Sequence, residues 1–268
     1  MEAYRLYNSK GKKVNFKKLA KDVKDTEFVF FGEYHDNPIS HWLQLEVLTV
    51  MQKQYNEKLM LGFEMFEQDQ QELLNSYLEG KITDKEFEKK ARLWPNYKTD
   101  YKPLIKFAIE NNLQCVASNI PRRYASMLFK YGRDTLRTLT EEEKSWIAPL
   151  DFKIDTTLSQ YIEIGNMAVH MDGMSGKDLM QAQAIKDATM AYFSLKNMEE
   201  GNVVLHINGA FHSDFYQGIM WYIRQSKPEM NIITISTVSQ ENISKLDKEN
   251  RGKADYILCV PENMTSTH

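Results

Sequence analysis

Cysteine is nearly absent from this chain: Cys115 and Cys259 are the two among 268 residues. Both lie inside apolar, strand-like runs and make no metal-ligand spacing, which points to buried thiols rather than a disulfide framework or a cysteine zinc site. An excess of positive charge is missing too. With 34 Lys and Arg against 37 Asp and Glu the net charge is −3, so nothing in the charge balance provides a footprint for nucleic acid. The lysine-rich start (Lys10, Lys12, Lys13, Lys17, Lys18) reads as a solvated surface. No apolar run approaches the ~20 residues of a membrane span, and Met1 to Lys10 has no signal-peptide core, so the chain as given reads as soluble. Internal repeats and low-complexity segments are also lacking.

What is present is a chain with 42% hydrophobic residues, enough to bury a core. It reads as a single domain over 1–268 with an insertion at about 150–176. The stretch around which it is organised is Glu27 to Gln44. Phe28, Val29, Phe30 and Phe31 form an uncharged run suited to a strand buried on both faces, and Gly32, Glu33, Tyr34, His35 and Asp36 follow at once. Asn37 and Pro38 then start a helix, because asparagine caps well and proline at the first helical position gives up an N–H that would be unpaired anyway.

The pattern repeats. Strands are predicted at Lys58 to Met65, ending near Glu64, at Leu113 to Ala117, leading into Asn119, and at Asn202 to Ile207, leading into Gly209 and His212. Asn231 to Val238 and Tyr256 to Val260 supply two more. Helices are predicted between them, with capping-box spacings at Thr83 to Glu86 and Thr140 to Glu143, a long helix from Lys177 to Met198, and another from Ser213 to Gln225. Regular periodicity weakens between Pro149 and Gly176, where Tyr161, Met167, His170, Met171 and Met174 accumulate. The expected fold is α/β, a mainly parallel twisted sheet of about six strands flanked by helices, with a helical or irregular insertion.

If right-handed crossovers connect the strands, their carboxyl ends share one edge of the sheet. Glu33, His35, Glu64, Asn119 and His212 then converge on one cleft. Two imidazoles and two carboxylates there could hold a divalent metal or run acid and base chemistry on a water. Each has a plainer reading: a lone histidine after a strand is commonly a cap or a satisfied hydrogen-bonding group. His206, inside an apolar strand, reads as core, and His41 either leans over the cleft or faces water.

The same residues carry a family resemblance. Gly32 to Asn37, Glu64-Met65-Phe66 with Gln70, Trp94 and Tyr97, Asn119 to Arg122, His170 with Met174, Ala182-Gln183 with Asp187 and Met190-Ala191, and Gly209 with His212 together resemble the ChaN family of bacterial iron-regulated lipoproteins, in the haem-binding, Tiki-like superfamily. The likeness runs from about Glu27 to Gly218. It rests on the order and number of the motifs, since none is specific alone.

The resemblance implies haem as cofactor and partner, held between two protomers of a homodimer, in iron or haem acquisition at the outer membrane or periplasmic face of a cell envelope, with an outer-membrane haem receptor as a further partner. Haem needs a broad apolar slot and an axial ligand, for which Tyr161, His170, Met171 and Met174 are the candidates. The wider superfamily, with Tiki proteases and erythromycin esterases, implies the alternative: a hydrolase, metal-dependent or metal-free, with His35 as general base or metal ligand, Glu33 and Glu64 orienting it or sharing the metal, and His212 assisting. A third reading is a scaffold whose old cleft serves only structure. Two departures stand out. The chain does not begin at a cysteine that could carry lipid, and Met171-Asp172-Gly173-Met174 stands where some relatives have Cys-Gly-Met.

Overall fold

A computed structural model describes residues 2–167 and 175–268. Its centre is one sheet of eight strands in the order β2-β1-β8-β7-β3-β6-β4-β5. The strands are β1 (Arg5–Asn8), β2 (Lys13–Val14), β3 (Phe28–Glu33), β4 (Leu59–Glu67), β5 (Gln114–Asn119), β6 (Val203–Gly209), β7 (Ile232–Gln240) and β8 (Tyr256–Pro261). The six strands from β3 to β8 pair in parallel, while β1 runs antiparallel to β8 and to β2. The parallel six are those the apolar runs predict. The hairpin β1–β2 is an addition at the sheet's edge: four and two residues long, it is too short and too polar to show a period.

The helices among the described residues are α1 (Phe16–Asp22), α2 (Pro38–Tyr55), α3 (Gln71–Leu78), α4 (Asp84–Lys90), α5 (Lys102–Glu110), α6 (Arg122–Tyr131), α7 (Glu141–Lys144), α8 (Ser159–Met167), α9 (Gly176–Lys196) and α10 (Ile219–Ser226). Their starts follow local chemistry. The Asn37 side chain accepts from the Ser40 N–H, with Pro38 in the first turn of α2, and complete capping boxes open α4 at Thr83 and α7 at Thr140.

Alternation along the strands sorts the core into two faces. Val29, Phe31, Leu61, Phe63, Leu205 and Ile207 pack against Leu43, Val47 and Met51 of α2 and Leu104 and Ile105 of α5. Phe28, Phe30, Met60 and Val204 face the other way, onto Met190 and Phe193 of α9 and Ile219 and Ile223 of α10. Helices on both sides explain why β3 is buried at all six of its positions.

One helix begins later than its sequence suggests. The stretch expected to be helical from Ser213 is first a pair of tight turns, Ala210–His212 and Asp214–Tyr216. Phe215 and Tyr216 adopt left-handed backbone, φ 58° and 62°, a strained arrangement for large side chains. It is held by the Phe215 N–H donating to Lys253 O at 2.7 Å and by the buried Asp214 accepting from Ser236 Oγ.

Candidate functional site

Because β3, β6, β4 and β5 are parallel neighbours, their polar carboxyl ends share one rim. Glu33 stands directly opposite Gly209 in the register. The β4–β5 ladder shifts between Phe63 and Glu67, the irregular stretch that carries Glu64. Asn119 closes the β5 end, its amide donating to Glu64 O at 2.9 Å.

Two linked ionic clusters occupy this rim. In the first, buried Glu33 accepts from Tyr101 Oη at 2.5 Å, from the Gln44 amide, and pairs with His35 Nδ1 at 2.9 Å. His41 lies behind, 3.5 Å from Glu33 and 3.4 Å from Asp100, and its Nε2 is 3.0 Å from His35 O. Asn96 donates to His35 O and to Asp100, both at 2.6 Å. These bonds fix the backbone at His35 while its side chain stays 41% exposed. The Trp94 ring meets the imidazole at right angles, centroids 4.7 Å apart. Among the described residues, the outer Nε2 of His35 has no hydrogen-bond partner.

In the second cluster His212 lies buried between two carboxylates: Nε2 is 3.2 Å from Glu64 and Nδ1 is 2.5 Å from Asp187 on α9. The Gln183 amide, one helical turn before Asp187, lies 2.9 Å from Nδ1. Tyr161 Oη donates to the other Asp187 oxygen at 2.8 Å, and the Gly209 N–H donates to Glu64 at 2.6 Å. Gly209 also joins the clusters. A Cβ there would lie 2.8 Å from the His35 ring and 3.5 Å from Glu64, so the imidazole rests where only a glycine leaves room.

The electrostatics follow from burial and neighbours. Burial opposes the charged form of His212, but Glu64 and Asp187 outweigh it and push the imidazole up to about 10. Burial would raise Glu64 as well, yet the His212 charge, its hydrogen bond, His35 and the Gly209 N–H hold the carboxyl well below the usual range. For Asp187 burial prevails and the net direction is upward. His35 loses basicity to burial but gains more from the Glu33 hydrogen bond and the charges of Glu64 and Glu33, so it ends raised.

The rim thus gathers Glu33, His35, Glu64, Asn119 and His212. The metal reading gains no support: among the described residues, no group of three or more His, Cys, Asp or Glu side chains is placed to hold a metal ion. The reason is that the donors consume one another. Glu33 is taken by His35, Tyr101 and Gln44, Glu64 by His212 and Gly209, and His212 by both acids, which leaves one free imidazole nitrogen where a site needs three or four ligands. Tyr161 is also placed differently from a surface ligand. It is wholly buried, and burial together with the Asp187 charge drives its phenol far above the ordinary tyrosine range, so here it is the donor that satisfies Asp187. His170, Met171 and Met174 lie outside the described residues. His206 is core, bonded to Ser118 and Asn208, with burial pulling its imidazole down to about 4.

Sequence reasoning missed Tyr101, Gln44, Asn96 and Asp100. The only signal was polar side chains on otherwise apolar helices, such as Ser40, His41 and Gln44 among Leu43, Val47 and Leu48. The same spacing marks Gln183 and Asp187 among the alanines of α9.

Comparison with solved structures places this architecture beside a Campylobacter jejuni ChaN described by its cofacial haem binding, at TM-score 0.70 and 17% identity over 95% of this chain and 96% of that one. An erythromycin esterase, the EreC H289N mutant in its open conformation, is similar at TM-score 0.54 and 9% identity over 97% of each chain. At these identities the likeness is one of fold. Among curated proteins, RETICULATA-RELATED 5 of Arabidopsis thaliana, a chloroplast protein, is 21% identical over 215 residues, 74% of this chain, and the chain spans 29% of that protein's length. The family described as haem-binding uptake, Tiki superfamily, ChaN, matches residues 19–223, and the chain belongs to it.

Proposed function

We propose that the chain binds haem at the strand-end rim and serves iron or haem acquisition at a bacterial cell envelope, pairing with a second copy when loaded and passing haem to or from an outer-membrane receptor. The observation that carries this reading is the His35 side chain in a chain of a haem-binding family. Its inner nitrogen is tied to a buried carboxylate, and its outer nitrogen makes no hydrogen bond among the described residues, on a side chain that is 41% exposed. A carboxylate behind an imidazole fixes the tautomer and strengthens the outer nitrogen as a ligand. Trp94 edges the imidazole, and the large apolar side chains exposed among the described residues include Tyr34, one residue before His35, and Ile162 and Met167 on α8. Bound haem would supply an iron centre, which the His35 imidazole would hold. His170, Met171 and Met174 are the further candidates that the family resemblance offers. The Campylobacter jejuni protein of similar fold is described by cofacial haem binding, which supports haem as the ligand.

The test is titration of the purified protein with haemin, followed by its visible spectrum. A shifted Soret band is expected, with affinity falling by about tenfold or more on His35→Ala and on Glu33→Gln. An unshifted band, or equal binding by both variants, overturns the assignment. His170→Ala, Met171→Ala and Met174→Ala measured beside them assign the second ligand.

A specific observation also supports a second reading, metal-free hydrolysis. The Glu33–His35 couple has the geometry of a general base held by a carboxylate, and the erythromycin esterase fold is similar. His35 Nε2 would take the proton from water, with Glu33 orienting the ring. Ester hydrolysis that is lost in His35→Ala, measured in haem-free protein, would establish it.

A further inference from the structure

Away from the rim, on the side of α9 and α10, the chain forms a groove of about 670 Å³. This is a size typical of small-molecule sites. Its floor is kept low by Ala148, Ala188 and Ala191, and its walls are the rings of Phe152, Tyr192, Trp221 and Tyr222. The walls are braced. Trp221 and Tyr222 stand perpendicular with centroids 4.8 Å apart, and Tyr222 Oη donates to Lys153 O at 2.7 Å. The Arg133 guanidinium lies 4.0 Å from the Phe152 ring centroid and donates to the Phe152 carbonyl at 2.6 Å. A groove whose aromatic walls are already ordered loses little entropy on binding.

The mouth carries the second observation. Lys153, Lys196 and Lys227 line it against a single acid, Asp151, and none of the three ammonium groups has a carboxylate partner among the described residues. Lys196 instead lies 5.5 Å from the Tyr192 ring centroid, over its face. Elsewhere lysines such as Lys102 and Lys106 are paired with acids.

We propose that this groove is a binding site for a small aromatic anion, a planar ring system carrying a carboxylate or sulfonate, whose rings lie between Tyr192 and Trp221 and whose charge meets the three lysines. The site is separate from the rim and does not rest on the haem reading. It contains no imidazole or thiol, so it recognises its ligand by stacking and charge.

The probe is 8-anilinonaphthalene-1-sulfonate, followed by its fluorescence and by energy transfer from Trp221, which Trp221→Phe identifies. Saturable binding is expected. It should weaken by about tenfold or more when Lys153, Lys196 and Lys227 are all changed to Glu, weaken with added salt, and remain unchanged in His35→Ala. The uncharged analogue N-phenyl-1-naphthylamine should not respond to the lysine changes. Ala191→Phe, which fills the floor, should abolish binding, and the exposed lysine variants keep the test valid should that variant fail to fold. Equal affinity of the lysine-reversed protein and the parent, or loss of binding in His35→Ala, overturns the proposal.

Discussion

At the scale of single residues, Gly209 and His212 make the sharpest claims. A methyl group on Gly209 would lie 2.8 Å from the His35 ring, closer than packed atoms tolerate. Gly209→Ala should therefore leave the far-ultraviolet circular dichroism unchanged while turning the imidazole away, and haemin affinity should fall by about tenfold, like that of a variant with a lost supporting contact. His212 predicts a pH dependence. Its folded value of about 10 lies above the ordinary 6.5, so the folded state holds the proton more tightly. The stabilisation is complete below about pH 6.5 and is lost as pH rises towards 10. Glu64, depressed from its ordinary 4.5, has the opposite sign: its contribution is present above that value and disappears in acid. Asp187, raised from 3.8, costs stability once ionised, by a constant amount across the alkaline window. Thermal unfolding of the parent should fall steadily through that window, and His212→Gln should flatten the slope.

At the scale of elements, α8 is tied down at its start by Gln217 and Phe211 and, more deeply, by a buried polar contact that its sequence does not advertise. Tyr161 reads as a candidate haem ligand in an irregular stretch, and in the fold it is the buried donor to Asp187. Tyr161→Phe keeps the ring and removes the bond, so it should cost about 1–2 kcal/mol in chemical denaturation and raise amide exchange along α8. The parallel strands were legible because strands buried on both faces must be continuously apolar, as Phe28 to Phe31 are, and the rim was legible because Glu33, Glu64 and His212 interrupt such runs at their ends. The partners of those residues were not. Gln44 sits on α2, where a polar residue reads equally well as solvated, and Asp100 and Tyr101 sit in the turn before α5, and only the crossing of α2 and that turn over the rim brings them to Glu33 and His41. The exhaustion of the ligands was equally hidden: spacing shows which donors meet, whereas whether they satisfy one another depends on distances of a few tenths of an ångström. The late start of α10 was missed because Phe215 and Tyr216 are ordinary helix residues by type, and their left-handed backbone is imposed by Lys253 in the loop before β8 and, through Asp214, by Ser236 on β7.

At the scale of the whole molecule, no helix among the described residues is long and apolar enough to cross a membrane, and the exposed apolar surface includes Ile162 and Met167 on α8 and Tyr34 beside the rim. A flat ligand lying against such a surface leaves a second face open, which a second copy can cover. Gel filtration with light scattering should therefore show the mass doubling when haemin is added, and Ile162→Glu should prevent the doubling while retaining the Soret shift. The run of α9 adds a mechanical consequence. The helix touches the rim through Gln183 and Asp187 and the aromatic groove through Ala188, Ala191 and Lys196. An α-helix is stiff along its axis, and Asp187 and Ala188 are consecutive residues. One rod therefore carries both the floor of the groove and the acid that steadies His212, so a bulky side chain in place of Ala188 would be felt on both.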